Sequence, residues 1–223
     1  MKQKEISKKS VNWSEYTEKY PGTTWFPKEI LQKYAKGRIL DIGCGSGEHL
    51  GCIKNFKEKY GIDTSSLAIE MAKKNFPSCK LAVSSVYNLP YGDDFFDLVY
   101  AIDVIEHLEY PSKMLTEARR VLKTGGILII QTPNYPIKRI YDFINWLNPK
   151  KSWRKTWKDD PTHFSKFSYF KLRNLLNKYF KIIEIRPRSI LLENRIKPIK
   201  KLKNTFLGKI IGQKIIIVCQ KYY

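Results

Sequence analysis

Arg38-Ile39-Leu40-Asp41-Ile42-Gly43-Cys44-Gly45-Ser46-Gly47-Glu48-His49-Leu50 is an apolar run that meets an acid and then three glycines, each separated by one residue. Glycines at this spacing let the backbone pass close to a ligand and turn sharply into a helix. The pattern alone suits any nucleotide-like ligand. Tyr60-Gly61-Ile62-Asp63 narrows it, because a second apolar run ends on an acid 22 positions after Asp41. In a βαβ unit that is the place of a carboxylate that accepts ribose hydroxyls.

Outward from this unit, strands and helices keep alternating. Apolar runs predict strands at 38–42, 59–63, 80–84, 96–102 and 126–132, with helices at 47–57, 65–75 and 111–122. Short apolar strands separated by helices mean a parallel sheet covered on both faces. Pro27 opens a short helix that stops at Gly37, and Lys123-Thr124-Gly125-Gly126 is expected to turn the last helix into the fifth strand. A helix at 168–180, capped by Ser168, is followed by strands at 182–186 and 213–220. The fold class expected is α/β: a seven-stranded, mostly parallel sheet flanked by helices, with an antiparallel strand at the edge.

Residues 1–37 read as an N-terminal arm and helix, and 38–223 as one domain with two special stretches. Residues 135–167 form a basic, aromatic cap insertion, in a connection long enough to be functional. In 195–211, apolar residues recur every three to four positions with lysines between them, the pattern of a basic amphipathic helix.

The 223 residues suffice for one domain with a sizeable core. Cys44, Cys52, Cys79 and Cys219 are scattered rather than clustered, which argues against a zinc site or disulfide framework and for a reducing compartment. No apolar leader or membrane-length run is visible, so the expected location is cytoplasmic, with the inner face of the membrane as a peripheral site. The net charge of +20 is lopsided. Residues 135–223 hold 22 Lys and Arg against 5 Asp and Glu, whereas residues 1–134 hold 19 against 16. A general lysine bias would charge both halves alike. The second half therefore reads as a surface for a polyanion, an anionic membrane or an acidic substrate.

Residues 38–134 resemble the class I S-adenosylmethionine-dependent methyltransferases, in particular the branch of ubiquinone-biosynthesis O-methyltransferases. Four blocks carry the resemblance in family order: ILDIGCGSGEHL at 39–50, GID at 61–63, LPYGDDFFDLVYAIDVIEHLEYP at 89–111 and EARRVLKTGGILIIQTPN at 117–134. The resemblance implies a Rossmann-like fold and S-adenosylmethionine as cofactor. It further implies methyl transfer to a small-molecule or lipid- or glycan-linked acceptor, on oxygen.

It implies residue roles as well. Asp41, Gly43, Gly45 and Gly47 would form the turn against the methionine part of the cofactor, with Asp41 orienting its ammonium group. Asp63 would accept the ribose hydroxyls, and Val86 would offer its backbone N–H to adenine. Thr64 and Ile102 complete the cofactor-binding set. Ser85 stands where the family often has an acid for the adenine amino group, and a hydroxyl makes a weaker, neutral contact there. Asp93, Asp94, Asp97 and His49 are read as structural.

A hydroxyl nucleophile must lose its proton, so a base belongs where the fourth strand ends. Asp103-Val104-Ile105-Glu106-His107 lies there. His107 is the expected base, with Glu106 beside it and His163 as the third catalytic candidate. Asp103, Glu106 and His107 also match the spacing at which quinone O-methyltransferases hold a divalent metal. Metal-free relatives use Glu-His-Leu to shape a turn, and the reading adopted is the one without metal.

The chain has no Asn/Asp-Pro-Pro-Tyr block for a flipped base and no Pro-Cys or Thr-Cys nucleophile. Its glycine spacing and downstream blocks do not fit a dehydrogenase. The expected partner is a small-molecule or lipid-linked acceptor, with peripheral contact to an anionic membrane and no obligate protein partner. RNA bound by the basic half is the lesser alternative, and a non-catalytic cofactor-binding protein is the third.

Overall fold

The computed structural model describes residues 12, 14–15, 26–135, 137–146, 162–188, 205 and 210–223. Most of the N-terminal arm, residues 147–161 of the cap and nearly all of the 195–211 segment lie outside the described residues.

Helix α1 (Lys28–Tyr34) leads into β1 (Arg38–Ile42), α2 (Glu48–Cys52), β2 (Glu58–Asp63), α3 (Ser66–Asn75) and β3 (Lys80–Val83). Then come β4 (Phe96–Ile102), a single 3-10 turn (Ile105–His107), α4 (Pro111–Val121) and β5 (Leu122–Pro133). The chain continues through α5 (Ile137–Trp146), α6 (Tyr169–Leu176), β6 (Lys181–Arg188) and β7 (Lys214–Gln220). The sheet order is β3-β2-β1-β4-β5-β7-β6. The first five strands pair in parallel, and β7 runs antiparallel to both β5 and the edge strand β6.

Strand order reverses between β1 and β4, which opens a crevice beyond their carboxyl ends, where open α/β sheets bind ligands. Alternate residues feed two cores. Leu40, Ile42, Val99 and Ala101 face α4 and α6, whereas Ile39, Leu98 and Tyr100 face α1. In β7, Ile215 to Cys219 are all buried, as a strand covered on both faces requires.

Three elements depart from the sequence expectation. Helix α2 stops at Cys52 rather than 57, because the amide of Asn55 donates to Ala35 O (3.2 Å) and Lys57 N–H to Gly37 O (2.6 Å), turning the chain into β2. The turn expected at 123–126 lies inside β5. Leu122 pairs with Phe96 and Ile127 with Leu98, so the extra residues bulge out through Gly125, at φ +77°. Asp97 fills the resulting gap, accepting from Arg38 N–H and Lys123 Nζ at 2.8 Å each. The third departure is α5, which the cap's mixed composition concealed; Asn134 O accepts Lys138 N–H (2.8 Å) at its start.

Candidate cofactor and acceptor site

The glycine turn is bound to β2 by Gly43 N–H and Cys44 N–H, which donate to Ile62 O at 2.8 and 2.9 Å. Gly43, Gly45 and Gly47 have φ of +72°, +50° and +83°. A Cβ on Gly43 would strike Val104 at 2.5 Å, whereas one on Gly45 would meet nothing within 4 Å. Gly43 is thus needed for packing, and Gly45 keeps open space before the turn.

Asp63 fastens this loop to its own. Its Oδ2 accepts Gly45 N–H (3.0 Å) and its Oδ1 accepts Ser65 N–H (2.9 Å). Burial raises the Asp63 carboxyl, against the pull of those backbone donors. Asp41 lies buried beneath the turn, and burial holds its carboxyl well above the usual range, with the Tyr100 hydroxyl opposing the shift and Asp63 adding to it. By geometry, neither the Tyr100 hydroxyl nor Asp41 Oδ2 has a hydrogen-bond partner among the described residues. Thr64 is exposed at the crevice rim, Val86 is buried, and Ile102 is buried at the end of β4. Ser85 is exposed, and its hydroxyl accepts Tyr87 N–H (3.2 Å) to shape the local turn.

A second cluster gathers beyond β4. Glu106 is buried, with Thr132 Oγ1 donating to its carboxyl at 2.9 Å. Burial and the charge of Asp103 push this carboxyl well above the usual range, only partly offset by Thr132 and Lys214. Ser165 N–H donates to Glu106 O (2.9 Å), drawing the 162–167 segment over the strand ends. There His107 Nδ1 meets Thr162 O (3.2 Å) and Thr162 Oγ1 (2.9 Å). The rings of His107 and His163 lie edge to face with centroids 4.7 Å apart, and His163 Nδ1 meets the Tyr135 hydroxyl at 2.6 Å.

The structure corrects one grouping. Asp103, at φ +54°, does not join Glu106 and His107; its carboxylate is ion-paired with Lys214, which enters at the start of β7. Among the described residues, the metal-capable donor atoms that converge belong to Glu106, His107 and His163, all within 4.8 Å of one another. Tyr135, Thr162 and Lys214 were not foreseen as neighbours of this cluster. Tyr135 alone carried a usable signal, since it follows the end of a central strand. Asp93, Asp94 and Asp97 pair with Arg120, Lys221 and Lys123, and His49 packs against the Phe26 ring.

Residues 40–130, which span the glycine turn, Asp63 and β4, match the family described as a methyltransferase domain. Residues 40–130 carry an S-adenosylmethionine-dependent methyltransferase domain. An uncharacterized protein of Methanocaldococcus jannaschii is 36% identical over 128 residues, 53% of this chain and 59% of that protein. The mitochondrial ubiquinone biosynthesis O-methyltransferase of Candida albicans is 31% identical over 118 residues, 48% of this chain and 34% of that enzyme. The match therefore spans less than two thirds of either relative. A solved S-adenosylmethionine-dependent methyltransferase from Archaeoglobus fulgidus shares the fold, with a TM-score of 0.58 at 20% identity over 95% of this chain and all of that one.

The cofactor of the methyltransferase domain is S-adenosylmethionine, and the residues present fit it. Gly45 leaves room before the turn, and the unpartnered Asp41 Oδ2 can take a hydrogen bond there. Asp63 is already oriented by backbone donors, and a carboxylate, with about four acceptor sites, has capacity left for a hydroxyl.

Proposed function

We propose that the chain transfers a methyl group from S-adenosylmethionine to an oxygen of a small-molecule or lipid- or glycan-linked acceptor, with His107 as general base. S-adenosylmethionine supplies an electrophilic methyl group on a sulfonium. Asp41, the 43–47 turn, Asp63, Thr64, Val86 and Ile102 hold it, and Ser85 borders the adenine end.

The observation that carries the reading is the contact of His107 Nδ1 with Thr162 O. A carbonyl can only accept, so a proton on Nδ1 satisfies both Thr162 contacts and leaves the lone pair on Nε2. Nε2 is then the atom that takes the acceptor's hydroxyl proton as the oxygen attacks. Tyr135 fixes the ring of His163 beside it, and burial beside Asp103 pushes the Glu106 carboxyl toward its neutral form. Alignment carries much of the remaining barrier, since well-oriented reactants gain several kcal/mol, up to about 7–11 in favourable cases.

The test is the pH profile of methyl transfer. For the wild type, activity should rise with pH as the base loses its proton, and level off. His107→Asn should lower kcat by roughly 10²–10⁴ and abolish that limb, leaving cofactor affinity within about twofold. An unchanged profile in His107→Asn would remove His107 from the role of base.

A further inference from the structure

Helix α5 carries large apolar side chains on its outside. Ile140 and Phe143, one turn apart on one face, are 53% and 43% exposed. Phe164, and Phe170 at the start of α6, are 43% and 48% exposed. The two segments are tied together at the acceptor cluster, where Tyr135 N–H donates to Phe167 O (2.7 Å).

Cations are interspersed with these residues along both segments. Lys138 and Lys166 both lie over the Tyr135 ring, 5.9 and 5.7 Å from its centroid, and Lys171 lies 5.4 Å from the Phe167 centroid. Arg139 and Arg173 add two more charges. Asp142 is the sole acid in residues 137–146 and 162–173 of the sequence, and it is paired with Lys138 at 2.6 Å. No helix among the described residues is long and apolar enough to cross a membrane.

We propose that α5 and residues 162–173 form a docking face for an anionic lipid bilayer, which brings the histidine pair to the membrane surface where an amphiphilic acceptor lies. This choice of acceptor rests on the methyl-transfer reading above; the docking face itself does not. Apolar side chains on an amphipathic helix enter the region beneath the headgroups, while lysine and arginine meet lipid phosphates. Nucleic acid would use the cations and the aromatic rings but gains nothing from an exposed isoleucine. A bilayer uses all three.

The full chain is sedimented with vesicles of neutral phosphatidylcholine, or of phosphatidylcholine with 30 mol% phosphatidylglycerol, at low and high salt. The expected result is binding to the anionic vesicles only, released by salt. Lys166→Gln with Lys171→Gln should weaken it about 25-fold, near fivefold per lysine. Ile140→Ser with Phe143→Ser should weaken it more than tenfold. S-adenosylmethionine affinity, measured for every variant, confirms that each is folded. Binding that ignores lipid charge, binding that survives both double substitutions, or no binding overturns the docking face. So does bulk transfer RNA displacing the protein from vesicles through the same lysines. If the vesicles bind as expected but no acceptor is methylated, the methyl-transfer reading falls and the docking face stands.

Discussion

Asp63 offers the sharpest perturbation because its carboxylate has two duties. It holds Gly45 N–H and Ser65 N–H at 3.0 and 2.9 Å, and in the proposed complex it accepts ribose hydroxyls. Asp63→Ala leaves both backbone donors without their acceptor. The position is only half-buried, so water can reach part of the gap, and the stability cost should be about 1–2 kcal/mol. The cofactor loses more. Charge-assisted hydrogen bonds contribute roughly 1.5–3 kcal/mol each, so two of them correspond to a Kd weakened by about 10²–10⁴. Asp63→Asn keeps one acceptor oxygen but turns an NH₂ toward the other backbone donor, and it should fall between wild type and alanine. Calorimetric titration with S-adenosylmethionine, beside a thermal melt of each variant, separates the two effects. A folded Asp63→Ala protein that binds within threefold of wild type would refute the assignment of this carboxylate to the ribose.

Gly45→Ala tests the open space before the turn. Its Cβ meets no protein atom within 4 Å, so the stability loss should be limited to the positive φ, about 1–2 kcal/mol, while cofactor affinity falls at least tenfold; equal affinities would place the ligand elsewhere. Glu184 tests the brace between α1 and β6. Burial alone would raise its carboxyl, but hydrogen bonds from Lys33, Tyr34 and Arg186 outweigh that and hold it at about 2, below the ordinary value of 4.5. A depressed acid stabilises the fold fully above pH ~4.5 and loses that contribution as pH falls toward ~2. Glu184→Gln should therefore cost on the order of 1 kcal/mol at pH 7, after allowance for solvent screening, and nothing near pH 2. Parallel stability curves across that interval would count against the brace.

The cofactor half of the site was legible because its parts are local. Asp41 pairs in register with Gly61, so the glycine turn and Asp63 end adjacent strands, and strand pattern alone brings them together. The acceptor half was only partly legible. His107 and Thr162 are separated by 55 residues and meet through Ser165 N–H on Glu106 O, a contact that no spacing encodes. Asp103 looked like a metal partner of its sequence neighbours, but Lys214, 111 residues on, arrives with β7 and pairs with it first. Helix α5 escaped detection because Ile140 and Phe143 face outward in a stretch rich in cations rather than into a core. The fifth strand was misplaced at its start because two glycines resemble a turn, although here they form a bulge inside a continuous pairing.

In the proposed reaction the 43–47 turn and Asp63 present a methyl donor whose methyl group goes to an oxygen. Incubating the full chain with methyl-labelled S-adenosylmethionine and a fractionated host extract tests it most directly. Label is expected in the lipid or small-molecule fraction, as an O-methyl group, and is lost with Asp63→Ala. Label in RNA alone, or tight cofactor binding with no labelled product in any fraction, would contradict it.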